Sequence, residues 1–118
     1  IIFGPTTFIP LPFELRSELR EAMRPLLEDF CACTLQQYAA VHGLRVYHSG
    51  ARLEPHLDWP DVWVVSATIN VQRNHSLPEW PVLIRGRGIE GSAFVTHREG
   101  EALLYEGSRL WHSRPDAL

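Results

Sequence analysis

Three side chains in this sequence have the types and spacing of a metal centre. His56 and Asp58 lie two residues apart in Arg52-Leu53-Glu54-Pro55-His56-Leu57-Asp58. On an extended strand alternate side chains point the same way, so an imidazole and a carboxylate there share a face and Leu57 opposes them. Those are two of the three ligands of a 2-His-1-carboxylate facial triad, a set that holds iron and leaves adjacent coordination positions open. A distant strand must supply the third. His112, in Leu110-Trp111-His112-Ser113-Arg114, is the best placed of the remaining histidines. His42 follows the helix, His75 lies in a polar loop, and His48 and His97 are strand residues without a His-x-Asp; all four are expected to play hydrogen-bonding or surface roles.

The elements that must position these residues follow from periodicity. Ile1–Phe13, with Pro5, Pro10 and Pro12, reads as an extended lead-in. Residues 14–40 carry a helical stripe at steps of three and four through Leu15, Leu19, Ala22, Leu26, Phe30 and Cys33. Pro25 either bends that helix or opens a second one. Arg16, Arg20 and Arg24 are expected to form a solvated face. From Leu44 the pattern changes to seven short strands: residues 44–48, 52–58, 62–71, 80–85, 92–97, 102–106 and 110–114. The run 62–71 is apolar and β-branched enough to be a central strand buried on both faces. Gly86-Arg87-Gly88 and Glu99-Gly100 supply turns. No helix-length connection separates these strands, which excludes a parallel βαβ fold. The expected class is mainly β (α+β), a jelly roll with the N-terminal helices on one face.

Composition bounds the function. A chain of 118 residues, 45% hydrophobic and 21% charged, is expected to form one domain, with residues 1–43 as lead-in and helices and 44–118 as the β core. A net charge of −3 argues against a basic nucleic-acid surface. All 11 basic residues are arginine, so neither a Schiff-base nor a P-loop lysine is present. No apolar run approaches a membrane span, and the lead-in lacks the basic start of a signal peptide, so a cytoplasmic location is favoured. Cys31 and Cys33 are too close for an ordinary disulfide and are expected to be reduced thiols. No His-Glu-x-x-His helix points to a zinc hydrolase.

From Leu44 to Leu118 the sequence resembles the prolyl-4-hydroxylase-like Fe(II)/2-oxoglutarate dioxygenases. The segments that carry the resemblance are Tyr47 to Asp58, Val65 to Val71, Arg98 to Tyr105 and Leu110 to Pro115. It implies a double-stranded β-helix fold, iron on His56, Asp58 and His112, and 2-oxoglutarate hydrogen-bonded by Tyr47. It also implies O2 as co-reactant, ascorbate as an optional reductant, and a prolyl, other peptide or small-molecule substrate. The family anchors the far carboxylate of 2-oxoglutarate on a basic residue about ten positions after the distal histidine. This chain stops six positions after it, so Arg114 is the available cation, and arginine suits a bidentate carboxylate. A chain opening on Ile1 and holding seven of the eight core strands is expected to be a fragment lacking the last strand. The alternatives are a non-catalytic metal-binding jelly roll that recognises a ligand or partner, and a structural domain with a chance His-x-Asp.

Overall fold

A computed structural model of the chain describes residues 1–86 and 91–118. The lead-in forms two short strands, β1 (Ile2–Phe3) and β2 (Thr6–Ile9). One helix follows, α1 (Phe13–Cys31), and then seven strands: β3 (Leu44–Tyr47), β4 (Arg52–His56), β5 (Ser66–Ile69), β6 (Val82–Arg85), β7 (Ala93–Val95), β8 (Ala102–Tyr105) and β9 (Trp111–Arg114). The seven expected strands are therefore present, with trimmed ends. The turn expected at Gly86-Arg87-Gly88 lies partly outside the described residues.

The strands are antiparallel throughout. The largest sheet has the order β1-β4-β9-β6-β7; β2 pairs with β3, and β5 pairs with β8. The chain crosses between sheets repeatedly, so strands far apart in sequence become neighbours. The β4–β9 pair is the one that matters most for chemistry. It carries a register shift between Leu53↔Arg114 and His56↔His112, a bulge of the kind that re-aims side chains beside sites. The turn before β8 runs Arg98-Glu99-Gly100-Glu101, with the Glu101 amide donating to the Arg98 carbonyl at 3.0 Å. Its third position has φ of 82°, which glycine adopts without steric cost.

Five expectations are corrected. The run 62–71 is not a strand buried on both faces. Only Ser66–Ile69 is strand, β5 has a single partner among the described residues, and Val62, Val64 and Val71 are exposed. Its β-branched composition favours extended backbone, whereas Ala67 and Ile69 of the strand itself are exposed. The helical part is one helix that runs through Pro25 and stops at Cys31, where Ala32 turns left-handed with φ of 50°. That turn brings the Cα atoms of Cys31 and Cys33 to 5.1 Å, within disulfide reach, and the two sulfurs are bonded rather than free.

The arginines of α1 are not a solvated face. Arg20 Nε donates to the Ala39 carbonyl at 2.7 Å, and Arg24 donates to the carbonyls of Leu35, Gln36 and Gln37. Residues 35–39 have few ladder bonds of their own, so these guanidinium groups satisfy backbone acceptors and fold that segment back along the helix. Leu15, Leu26 and Phe30 of the expected apolar stripe are exposed instead. The buried apolar residues among those described are few, Ala51 and Val82.

Candidate metal centre

The site is built by four elements. His56 is the last residue of β4, and His112 faces it across the ladder on β9. Asp58 lies just past the end of β4. Its amide donates to the Gly107 carbonyl at 2.8 Å, which replaces the ladder bond the expected longer strand would have made. Ser66, the first residue of β5, donates its hydroxyl to Asp58 Oδ2 at 2.8 Å. Gly107 belongs here because of space: a Cβ at that position would run into Asp58 Oδ2 and Ser66 Oγ.

The three expected ligands come together. One ligand atom from each of His56, Asp58 and His112 lies within 4.8 Å of the others. Asp58 Oδ1 is 3.2 Å from His112 Nε2 and 3.6 Å from His56 Nε2. His56 Nδ1 donates to the Glu54 carbonyl at 2.9 Å, and His112 Nδ1 donates to the Leu110 carbonyl at 2.8 Å. A carbonyl can only accept, so both Nδ1 atoms carry hydrogen. In the neutral rings the lone pairs are then on Nε2, and both Nε2 atoms face the same carboxylate oxygen. Two imidazole lone pairs and one carboxylate, each fixed by a backbone or hydroxyl partner, are a donor set that suits a divalent transition metal.

The protonation of the cluster follows from burial set against pairing. Burial lowers His56, with the neighbouring His112 adding to it, and it stays below the ordinary histidine range. Burial works the same way on His112, but its hydrogen bonds to Asp58 and to the Leu110 carbonyl outweigh it, and the net shift is upward. Burial would raise Asp58, and the hydrogen bonds from His112 and Ser66 overcome it and hold the carboxyl down. Without a metal, His112 is the ring of the two that takes up a proton more readily, because Asp58 faces its Nε2.

Tyr47 and Arg114 do not touch the cluster. They line a cavity of about 940 Å3, together with Thr68, Asn70, Trp80 and His97, and the three ligands are not part of its lining. Arg114 lies with its guanidinium 4.5 Å from the centre of the Trp80 ring and donates to the Trp80 carbonyl. Tyr47 packs edge-on against the same indole at 4.9 Å. Burial raises Tyr47, which keeps the phenol protonated, with the charges of Arg114 and Arg45 opposing that shift. Burial lowers Arg114 from its ordinary value.

Tyr105 joins the two regions, and sequence reasoning gave it no role. Its ring lies edge-on to His112 at 4.9 Å, and its hydroxyl is 3.3 Å from Thr68 Oγ1 at the cavity wall. Ser66 and Gly107 were missed as well. A serine on a strand and a glycine in a turn carry no ligand signal until the fold brings them to Asp58. Of the other histidines, His48 is hydrogen-bonded to Thr7 at 2.9 Å, and the buried Nε2 of His97 has no hydrogen-bond partner among the described residues. Trp59 is exposed, with its indole N–H on Asp61.

No helix among the described residues is long and apolar enough to cross a membrane. No family model matches the chain, and neither the curated proteins nor the solved structures compared with it give a match.

Proposed function

We propose that this chain carries the metal centre of an Fe(II)- and 2-oxoglutarate-dependent dioxygenase of the double-stranded β-helix type, one that hydroxylates an unactivated C–H bond of a peptide or small molecule. The observation that carries the reading is the convergence of His56 Nε2, His112 Nε2 and Asp58 Oδ1, with both Nδ1 atoms already committed to backbone carbonyls. The crossed-over antiparallel sheets support the fold part of the reading, and the resemblance of Tyr47–Asp58 and Leu110–Pro115 supports the reaction part.

Iron held there would supply, with 2-oxoglutarate and O2, the oxidising power for hydroxylation, with succinate and CO2 released. The protein's own contributions are separate from that chemistry. His56 and His112 present neutral Nε2 donors. Asp58 gives the anionic ligand, and Ser66 fixes its rotation. Tyr47 and Arg114 offer a phenol donor and a guanidinium for a carboxylate, both leaning on Trp80. Tyr105 packs edge-on against the His112 ring and holds its plane.

The test is anaerobic loading with Fe(II), followed by 2-oxoglutarate and oxygen. Succinate release that His56→Ala abolishes supports the reading. Succinate release unchanged in His56→Ala removes the triad from the reaction.

One observation favours a second reading. The cavity that holds Tyr47 and Arg114 is not lined by the ligands. A metal that simply pins the end of β4 to β9, in a non-catalytic binding module, needs only the cluster. Stoichiometric metal uptake without any succinate release would favour that module.

A further inference from the structure

The C-terminal end of α1 carries chemistry that the metal centre does not use. Cys31 is the last residue of the helix, and its sulfur is bonded to that of Cys33, only two positions on. Between them stands Ala32, with φ of 50°, the one non-glycine residue of positive φ among the described residues. Its amide donates to the Asp29 carbonyl at 3.4 Å, and the Cys33 amide donates to the Glu28 carbonyl at 3.2 Å. These two bonds form a Schellman cap, whose left-handed position is usually glycine. Alanine there brings its Cβ close to the following carbonyl oxygen, a cost that glycine does not carry.

The surroundings favour opening this disulfide. A disulfide stabilises a fold less as the loop it closes becomes shorter, and this loop is very short. The two sulfurs differ in access. Cys33 is exposed, whereas Cys31 is half-buried and lines an apolar cavity of about 400 Å3 with Phe30, Leu103 and Leu104. The reduced state also has a partner in place. Cys31 Sγ lies 3.7 Å from the Glu28 carbonyl oxygen, a contact that becomes a hydrogen bond only when the sulfur carries hydrogen. Strained or exposed disulfides are the ones that exchange readily with small thiols.

We propose that Cys31–Cys33 is a reversible thiol–disulfide exchange site for a small thiol of the glutathione class. The thiolate attacks the exposed Cys33 Sγ and forms a mixed disulfide. The Cys31–Cys33 bond breaks, and its electron pair goes to Cys31 Sγ. That sulfur takes a proton from water, favoured at the negative end of the helix, and then donates to the Glu28 carbonyl. A second thiolate attacks the small-thiol sulfur of the mixed disulfide, and Cys33 leaves and is protonated. The two cysteines gain two electrons, and two small thiols are oxidised to one disulfide. Once the ring is open, Ala32 leaves the left-handed region and the cap loosens. The site does not depend on the metal, since neither cysteine belongs to the ligand cluster.

The test uses the 118-residue chain without added metal, equilibrated anaerobically in glutathione buffers of stepped ratio. Acid quenching and alkylation, read by mass spectrometry, count the free thiols. The expected result is a reversible two-electron transition at ratios that leave ordinary structural disulfides oxidised. Early in the reduction, glutathione should be found on Cys33 at least about fivefold more often than on Cys31, following access. Ala32→Gly holds the left-handed turn freely, so the equilibrium constant for its reduction should fall about fivefold or more. Circular dichroism checks that α1 is kept. Four results overturn the proposal: a disulfide that stays closed in millimolar reduced glutathione, thiols that do not close in oxidised glutathione, glutathione carried mainly on Cys31, or an equilibrium that Ala32→Gly leaves unchanged.

Discussion

His56 and His112 stand directly opposite each other across the β4–β9 ladder, with ring centroids 4.2 Å apart. Fifty-six residues of sequence separate them, and the register shift after Leu53 brings them level. Two imidazoles at that distance repel when both are charged, and Asp58 Oδ1 lies within 3.6 Å of both Nε2 atoms. Charging both rings at once is therefore disfavoured, and a metal ion can stand where the first added proton would.

Truncating either histidine should therefore remove metal binding. His56→Ala and His112→Ala are each expected to weaken Mn(II) or Fe(II) binding by more than about 100-fold, beyond what loss of a supporting outer partner costs. Anaerobic titration calorimetry measures it. Retention of stoichiometric, tight uptake in both variants would show that the ion binds elsewhere.

Gly107→Ala tests the close approach behind Asp58. A methyl group there meets Asp58 Oδ2 and Ser66 Oγ, so the carboxylate must move or lose its hydroxyl partner. The expected outcome is a loss of metal affinity of about 10-fold or more with the strands intact. Circular dichroism and metal titration on the same sample separate the two effects.

The pH dependence has a definite sign. His112 is raised from its ordinary 6.5, so its pairing with Asp58 contributes stability that is fully present below about pH 6.5 and is lost as pH rises through the raised value. His56 is lowered, so its protonation opposes folding on acidification. Asp58 is held low, and its contribution is lost only as pH falls through that lowered value. A metal must displace the His112 proton, so its affinity should rise with pH, by up to about tenfold per unit for each proton released. Thermal melts with and without Mn(II) should differ more at pH 8 than at pH 6. A metal-induced shift that is flat or falls with pH contradicts the assigned protonation.

Tyr47 and Arg114 are expected to matter for the cosubstrate and not for the metal. Tyr47→Phe removes one hydroxyl and keeps the edge-on contact with Trp80, so the fold should hold. The KM for 2-oxoglutarate should rise by about tenfold, the worth of one hydrogen bond to a charged group, while Mn(II) affinity stays the same. Arg114→Gln should raise that KM further. Unchanged cosubstrate kinetics in both would place the carboxylate anchor on other residues.

Arg24 should act as a structural tie. Its guanidinium satisfies three carbonyls of residues 35–37. Arg24→Ala leaves those acceptors to water and frees the segment, at about 1–3 kcal/mol. Urea denaturation measures the loss, and proteolysis should cut first near Thr34–Gln37. A change under about 0.5 kcal/mol would return Arg24 to the solvated face that spacing alone suggests.

The sequence by itself determined the strands and the ligand candidates. Alternation and turn residues are local signals, so all seven strands from Leu44 onward were legible, and so were His56 and Asp58 as a ligand pair, although the strand ends at His56 and Asp58 is placed by its bond to Gly107. Tertiary structure decided what local signals do not carry. Arg16, Arg20 and Arg24 look like a solvated face because helical spacing says nothing of the segment that folds back on them. The run 62–71 looks buried because β-branched residues favour strands whether or not a layer covers them. Cys31 and Cys33 look too close to pair until the left-handed turn at Ala32 brings them within reach. His112 was readable as a donor but not as a partner, since its place opposite His56 depends on strand order and a bulge. Ser66, Gly107 and Tyr105 acquire a part in the site only through contacts between residues distant in the chain. Side-chain type and spacing are written along the chain, whereas a ligand set exists only where separate strands meet.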